Sequence, residues 1–202
     1  CHDHVEAASY LALAAATGGE IKVEGTDLHS YWMCHRVFHT LGVKIELHKD
    51  HIYLPGNQEL RVTRDFDGSI PVIADGPWPQ FPSDQMSCMI TLATQVEGNV
   101  LFHEKMFESR LYFVDRLIAM GANAVVCDPH RVVISGRSNL RATTLASPDI
   151  RAGMDFGSAL TNDDRPRLDN LSVVAFDTQT FGVAVAPVSC CCCTCHNSHS
   201  SA

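Results

Sequence analysis

The sequence predicts an α/β fold built from repeated units of helix, strand, helix and β-hairpin. Apolar residues recur at helical spacing in some segments and alternate with polar residues in others, the patterns of amphipathic helices and half-buried strands. Segments 3–56 and 84–136 show the same order of predicted elements, which indicates units that stack on one another. The chain has 202 residues, 46% of them hydrophobic. It is therefore long enough to bury a core without disulfides or metals.

The first unit begins with an alanine-rich helix that ends at Gly18-Gly19, since glycine commonly terminates helices. Its apolar stripe is Val5, Ala8, Ala12 and Ala15. Ile21 and Val23 alternate as a short strand, and a second helix precedes Gly42. Apolar residues in or beside this helix are Leu28, Trp32, Cys34, Val37, Phe38 and Leu41. A hairpin of Val43, Ile45, Leu47, Ile52 and Leu54, turning at Lys49-Asp50, completes the unit.

The second unit repeats this order at a nearly constant offset. It predicts a strand at Val100 and Phe102, a helix over 110–120, and strands near 124–127 and 132–134 joined by a turn at 128–130. The segment Gly56-x-x-x-Leu60-Arg61-x-Thr63 reappears as Gly136-x-x-x-Leu140-Arg141-x-Thr143. A third unit is predicted to open at Ser147-Pro148-Asp149. Stacking of these units would bury the helices between the sheets.

The connection between the two units is predicted to contain one strand and one rigid loop. Leu60 to Thr63 is the strand candidate. Three prolines then fall within 76–82, which excludes a helix interior or a central strand. We expect this loop to deliver Asp84 to the start of the next helix.

Composition restricts the class of protein. The chain carries 15 Lys and Arg against 23 Asp and Glu, a net charge of −8, which argues against non-specific nucleic-acid binding. No apolar run approaches the ~18 residues of a membrane helix, and no secretory signal is visible. We therefore expect a cytoplasmic protein without membrane or nucleic-acid partners. Because the chain starts with Cys1 and not Met, we expect it to be a fragment whose true start is missing.

The nine cysteines fall into two groups. Cys1, Cys34, Cys88 and Cys127 are predicted to be small buried thiols in a reducing compartment. The other five lie within 190–195, near His196 and His199. Adjacent cysteines do not match the ligand spacing of zinc sites, so we expect no metal. Segment 155–202 is predicted to be a disordered tail, or a stretch translated in the wrong frame.

Acidic residues recur at the predicted helix starts, at Asp3, Asp84 and Asp149. Aspartate is a favoured N-cap, which is one interpretation. A polar site is the other, because Arg110 and Arg151 lie near these helix starts and arginines clamp carboxylates and phosphates. The arginines could also be ordinary surface ion pairs with Glu108 and Asp149.

Four motifs in this order resemble the enolpyruvyl transferase family. They are Phe81-Pro82-Ser83-Asp84, Phe107-Glu108-Ser109-Arg110, Met120-Gly121-Ala122 and Asp149-Ile150-Arg151-Ala152, with Ser109 where the family has Asn. The resemblance extends from Asp3 to about Met154. It implies an inside-out α/β barrel domain over 1–154, made of two helix–strand–helix–hairpin units and an incomplete third, with 155–202 outside it.

The resemblance also implies roles for five residues. Asp84 matches the carboxylate that contacts a sugar 3-hydroxyl as general base. Met106 matches a residue whose backbone contacts the nucleotide, and Arg110 an arginine at the inter-domain site. Asp149 and Arg151 match an acid–arginine pair beside phosphoenolpyruvate. The implied site needs no metal or cofactor.

The implied reaction transfers the enolpyruvyl group of phosphoenolpyruvate to the 3-hydroxyl of UDP-N-acetylglucosamine, a step in peptidoglycan precursor synthesis. The family's Cys- or Asp-bearing catalytic loop and partner-domain Lys and Arg have no counterpart in this sequence. We therefore expect the chain to need a missing companion domain and to be inactive alone. The alternatives are a transferase acting on shikimate 3-phosphate and a repeat module without catalysis.

Overall fold

The computed structural model describes residues 4–25, 28–108 and 110–141, and these residues form a mixed α/β structure. The helices are α1 (His4–Thr17), α2 (Leu28–Thr40), α3 (Met86–Ala93) and α4 (Val114–Ala119). The strands are β1 (Ile21–Glu24), β2 (Glu46–Leu47), β3 (His51–Leu54), β4 (Val72–Ala74), β5 (Gly98–His103), β6 (Ala124–Asp128) and β7 (Arg131–Gly136). Short 3-10 turns at Ser83–Gln85 and Arg110–Phe113 run directly into α3 and α4.

The strands form two sheets with a shared topology. The first sheet has the order β1-β3-β2, and the second has the order β4-β5-β7-β6. Leaving β4 aside, each sheet places the third strand of its unit between the first and the second, with antiparallel pairing throughout. The two units therefore share both the order of their elements and the pairing of their strands.

One apolar core joins the two units. Helices α1 and α3 pack against each other, and the buried cluster runs from Leu11 in α1 through Phe38 in α2 to Phe102 in β5 and Leu117 in α4. Gln85 adds a polar link, because its Nε2 donates to the carbonyl oxygen of Val5 at 2.7 Å. Each unit thus covers an apolar face that the other would leave exposed to water.

The segment repeated in the sequence crosses the glycine that follows the second helix of each unit. A Cβ on Gly42 would overlap the carbonyl oxygen of Arg61, and a Cβ on Gly121 would lie 2.9 Å from the carbonyl oxygen of Asn139. Both glycines have positive φ, +73° and +106°. Glycine is therefore required in both places by conformation and by close approach of the backbone.

The strand predicted in the connection is misplaced. Leu60 to Thr63 makes only an isolated bridge, Arg61 to Glu97, and the strand of this connection is β4, parallel to β5. The sequence does not distinguish β4, since it has three residues directly after Pro71 and only Ile73 is buried.

Three other predictions need correction. The predicted helix over 110–120 is a 3-10 turn followed by the short α4. Trp32 and Leu47 belong to the apolar patterns that predicted the second helix and the hairpin, but both side chains are exposed. Helix α2 buries Tyr31 and Cys34, and β2 has only two residues. The thiol of Cys127 is exposed, although those of Cys34 and Cys88 are buried and half-buried.

Several predictions concern residues outside the described part. They are those on Cys1, Asp3, Ser109, Asp149, Arg151, the third unit, and the tail from 155 onward. Within the described ranges, none of the helices is long and apolar enough to span a membrane.

Candidate active site

Two acidic residues meet where two parallel strands end. Asp75 follows β4 directly and Glu104 follows β5 directly. Because β4 and β5 run parallel, with Ala74 opposite His103, their carboxyl ends lie at the same edge of the sheet. Polar groups at this edge of a parallel pair commonly form ligand sites. Both acids are completely buried, at 0% exposure.

The buried acids are hydrogen-bonded to each other and to the backbone. The Asp75 carboxylate accepts the N–H of Lys105 at 2.5 Å and the N–H of Met106 at 3.4 Å. The Asp75 and Glu104 side chains are also hydrogen-bonded together, which requires a proton on one of them. On the other side, the Glu104 carbonyl oxygen accepts from His130 Nδ1 at 2.9 Å, so Nδ1 is the protonated nitrogen of that ring.

Of the two acids, Glu104 is the one whose pKa favours the protonated form. Burial, together with the hydrogen bond and the charge of Asp75, raises the pKa of Glu104 from 4.5 to about 7. Burial pushes the pKa of Asp75 upward too, but hydrogen bonds from Glu104 and the N–H of Lys105 hold it below its usual value. Below about pH 7 the pair therefore carries one negative charge, on Asp75, at the edge of the sheet.

Ser83 connects this buried pair to a more exposed ion pair. Its hydroxyl donates to Glu104 Oε1 at 2.8 Å and accepts from Arg110 Nη1 at 3.0 Å. The same Nη1 donates to Asp84 Oδ1 at 3.0 Å. The side chains of Arg110 and Asp84 are 28% and 43% exposed, so this ion pair is accessible to a ligand.

The loop between Glu104 and Arg110 borders the ion pair. The guanidinium carbon of Arg110 lies 4.0 Å from the ring centre of Phe107, a cation–π contact. Met106 and Phe107 are exposed, at 42% and 45%. The site thus presents an acid, an arginine and two apolar side chains on one surface.

The structure brings together the predicted site residues that it describes. Asp84 and Arg110 are in direct contact, and Met106 lies on the adjoining loop. The N-cap interpretation of Asp84 is wrong, because the N-cap positions of the 3-10 turn and of α3 are held by Pro82 and Gln85. Arg110 pairs with Asp84 rather than with its sequence neighbour Glu108.

Sequence reasoning missed Asp75 and Glu104. No local motif marks either residue, and their proximity depends on the β4–β5 pairing. The described residues contain no group of three His, Cys, Asp or Glu side chains that could hold a metal ion.

The family described as EPSP synthase (3-phosphoshikimate 1-carboxyvinyltransferase) matches this chain over residues 1–161. The chain belongs to this family. The buried acid pair and the Asp84–Arg110 ion pair lie within the matched residues.

Curated relatives give a finer comparison. The chain is 47% identical over 170 residues to the UDP-N-acetylglucosamine 1-carboxyvinyltransferase of Borreliella burgdorferi, covering 84% of this chain and 40% of that protein. It is 48% identical over 152 residues to the enzyme of that name from Treponema denticola, covering 75% and 36%. The chain thus spans about 40% of the length of these relatives or slightly less.

Solved structures support the fold. The enolpyruvyl transferase NikO from Streptomyces tendae superposes with a TM-score of 0.61 at 20% identity, covering 80% of this chain and 36% of NikO. EPSP synthase from Acinetobacter baumannii superposes with a TM-score of 0.54 at 14% identity, covering 76% of this chain and 36% of that protein. At these identities the likeness establishes a shared enolpyruvyl transferase fold.

Proposed function

We propose that this chain is part of an enzyme that transfers the enolpyruvyl group of phosphoenolpyruvate to the 3-hydroxyl of UDP-N-acetylglucosamine. The observation that carries the proposal is the accessible contact between Asp84 and Arg110, in a chain 47% identical to relatives that bear this activity in their name. This reaction supplies a peptidoglycan precursor, which would place the enzyme in the cytoplasm and link it to cell shape and division.

Asp84 is proposed as the general base. Its carboxylate would take the proton of the sugar 3-hydroxyl as that oxygen attacks C2 of phosphoenolpyruvate, while an acid of the companion domain gives a proton to C3. Loss of phosphate, with loss of a proton from C3, then regenerates the double bond. Arg110 Nη1 donates to Asp84 Oδ1 at 3.0 Å and would thereby orient the carboxylate that acts as the base.

The neighbouring residues are proposed to bind the ligands. Met106 would contact the sugar nucleotide through its backbone carbonyl, since its N–H is already donated to Asp75. Asp149 and Arg151, outside the described residues, would contribute near phosphoenolpyruvate, because arginines stabilise the anionic intermediate.

The arrangement of domains is part of the proposal. The shared topology of the two described units supports an inside-out α/β barrel domain over 1–154, with an incomplete third unit opening at 149 and segment 155–202 outside the barrel. A companion domain would supply the remaining catalytic groups. This accords with a chain that spans about 40% of its relatives, and we expect the chain alone to be inactive.

A chimaera tests the proposal. Residues 1–141 replace the matching segment of the Borreliella burgdorferi enzyme, and phosphate release from phosphoenolpyruvate is measured with UDP-N-acetylglucosamine and, separately, with shikimate 3-phosphate. We expect turnover with the UDP-sugar, and a loss of about 100-fold or more in kcat on Asp84→Asn, because removal of a general base commonly costs that much.

Asp128→Asn is the matched control. Asp128 also pairs with an arginine, Arg131, at 2.6 Å, but on the β6–β7 turn, so its loss should leave kcat unchanged. Turnover with shikimate 3-phosphate instead of the UDP-sugar would assign the alternative acceptor. An unchanged rate in Asp84→Asn would show that Asp84 is not the base.

A further inference from the structure

A directed chain of hydrogen bonds runs from the accessible arginine to the buried acid pair. Arg110 donates to Ser83, Ser83 donates to Glu104, and the proton of Glu104 donates to Asp75. Within the described residues, Ser83 donates to Glu104 Oε1, whereas Glu104 Oε2 is buried and has no hydrogen-bond partner by distance and angle. Ser83 is also hydrogen-bonded to Asp75, so the chain of contacts ends on the Asp75 carboxylate.

The same carboxylate fixes the loop beside the ion pair. Asp75 accepts the backbone N–H groups of Lys105 and Met106, so it holds the first residues of the loop that leads to Arg110. Phe107, next in that loop, contacts the Arg110 guanidinium. Arg110 is therefore held from two sides, through Ser83 and through the loop.

We propose that Asp75 and Glu104 are positioning residues, which hold Arg110 against Asp84 through Ser83 and fix the loop that carries Met106. This inference rests on the proposed function for its consequence in catalysis, but its structural content is independent of the substrate. A buried pair that is hydrogen-bonded to Ser83 and to the backbone of the loop suits such a role, because these bonds keep neighbouring groups in one geometry.

Arg110 and His130 are charged or titratable neighbours of the pair. Arg110 acts through Ser83 and favours a negative charge on Glu104. His130 contacts the Glu104 backbone through its ring. Deprotonation of Glu104 would leave two adjacent buried anions and remove the bond between them, so the positioning should fail as the pH rises through about 7.

The first experiment uses the 202-residue chain without any substrate. NMR measures hydrogen exchange of the Arg110 guanidinium, assigned by its loss in Arg110→Lys. In Glu104→Gln, the amide can still accept from Ser83 and donate to Asp75, so exchange should stay close to the parent. In Ser83→Ala and Glu104→Ala, exchange should rise by about tenfold or more, since the first variant removes a partner of the guanidinium and the second removes the acceptor that orients that partner.

The second experiment uses the chimaera described above. Glu104→Ala should lower kcat by about 10- to 100-fold with little change in KM, because misplaced catalytic groups slow the chemical step. Glu104→Gln should restore kcat and remove its decline above pH 7. Glu97→Gln, at an exposed pair with Arg61, is the matched control and should leave both quantities unchanged.

The outcomes separate the two proposals. If the chimaera turns over neither acceptor while Glu104→Ala still frees the Arg110 guanidinium, the proposed function fails and the positioning role stands. If Glu104→Ala leaves both guanidinium exchange and kcat at parent values, the positioning role is overturned. Should Glu104→Ala not fold, Glu104→Gln decides: an Arg110 guanidinium freed as in Ser83→Ala would overturn the role.

Discussion

The protonated state of Glu104 makes the stability of this chain depend on pH. A carboxyl group whose pKa is raised by folding stabilises the folded state below its unfolded pKa, and this stabilisation is lost as the pH rises through the folded pKa. For Glu104 the window runs from 4.5 to about 7. At about 1.4 kcal/mol per pKa unit, this one group lowers the free energy of unfolding by on the order of 2–3 kcal/mol across that window.

Asp75 does not oppose this trend within the same window. Its pKa is lowered on folding, so its stabilising contribution is present above the ordinary pKa of an aspartate and is lost only in more acidic solution. Between pH 5 and 8, therefore, only the titration of Glu104 makes the contribution of this pair to the free energy of unfolding depend on pH.

Urea unfolding of the 202-residue chain at pH 5, 6, 7 and 8, under reducing conditions, measures this slope. Other groups titrate in the same range, so the informative quantity is the difference in free energy of unfolding between the parent and Glu104→Gln. The glutamine keeps both side-chain hydrogen bonds and cannot ionise. We expect Glu104→Gln to become more stable relative to the parent by on the order of 2–3 kcal/mol from pH 5 to pH 8.

Glu97→Gln is the control for the chemical change itself. Glu97 lies in an exposed ion pair with Arg61 at 3.0 Å, and such pairs contribute about 0–1 kcal/mol. The difference in free energy of unfolding between Glu97→Gln and the parent should therefore vary by no more than about 1 kcal/mol between pH 5 and pH 8. If the difference in free energy of unfolding between Glu104→Gln and the parent varies as little with pH, the assignment of the proton to Glu104 is refuted.

Two further predictions concern the fold. Gly42→Ala should lower the free energy of unfolding by about 3 kcal/mol or more, since its Cβ would overlap the Arg61 carbonyl oxygen. Gly68 also has a positive φ, +79°, but a Cβ there would have no atom within 4 Å, so Gly68→Ala should cost only about 1–2 kcal/mol. Equal losses for the two variants in urea unfolding would contradict the close approach at Gly42. Thiol labelling of the native chain, with the modified sites located by peptide mass spectrometry, should modify the exposed Cys127 rapidly and spare Cys34. Cys34 is buried, and burial raises the pKa of its thiol to about 12. Labelling of Cys34 at a rate comparable to that of Cys127 would contradict its burial.

The sequence predicted those parts of the fold that rest on local pattern. Helix α1 ends at Thr17 before Gly18, which has a φ of +71°, because glycine adopts this conformation without cost. The strand predicted near 132–134 lies within β7, where Val132 and Ile134 are fully buried and Val133 between them is half-buried. In such segments the pattern and the burial have the same cause, so one indicates the other.

The repeated segment was recognised but given the wrong structure. Leu60 to Thr63 alternates like a strand, yet its backbone bonds go to a helix end and to one residue of the second unit, with Thr63 N–H on the Thr40 carbonyl oxygen. Arg141 N–H reaches the carbonyl oxygen of Met120 in the same way. In each unit the segment packs over the glycine that follows the second helix. The spacing of apolar residues along the chain does not indicate this contact.

The missed strand and the missed acid pair have a single cause. A strand of three residues with one buried side chain has no period to detect, and its parallel pairing with β5 joins parts of the chain that no short-range rule connects. Without β4, Asp75 is an isolated acid in a loop and Glu104 merely precedes the motif that begins at Phe107. With β4 in place, both acids follow the ends of neighbouring parallel strands. The Asp84–Arg110 contact could be predicted from motifs, but the group that holds it in position required the long-range pairing of the sheet.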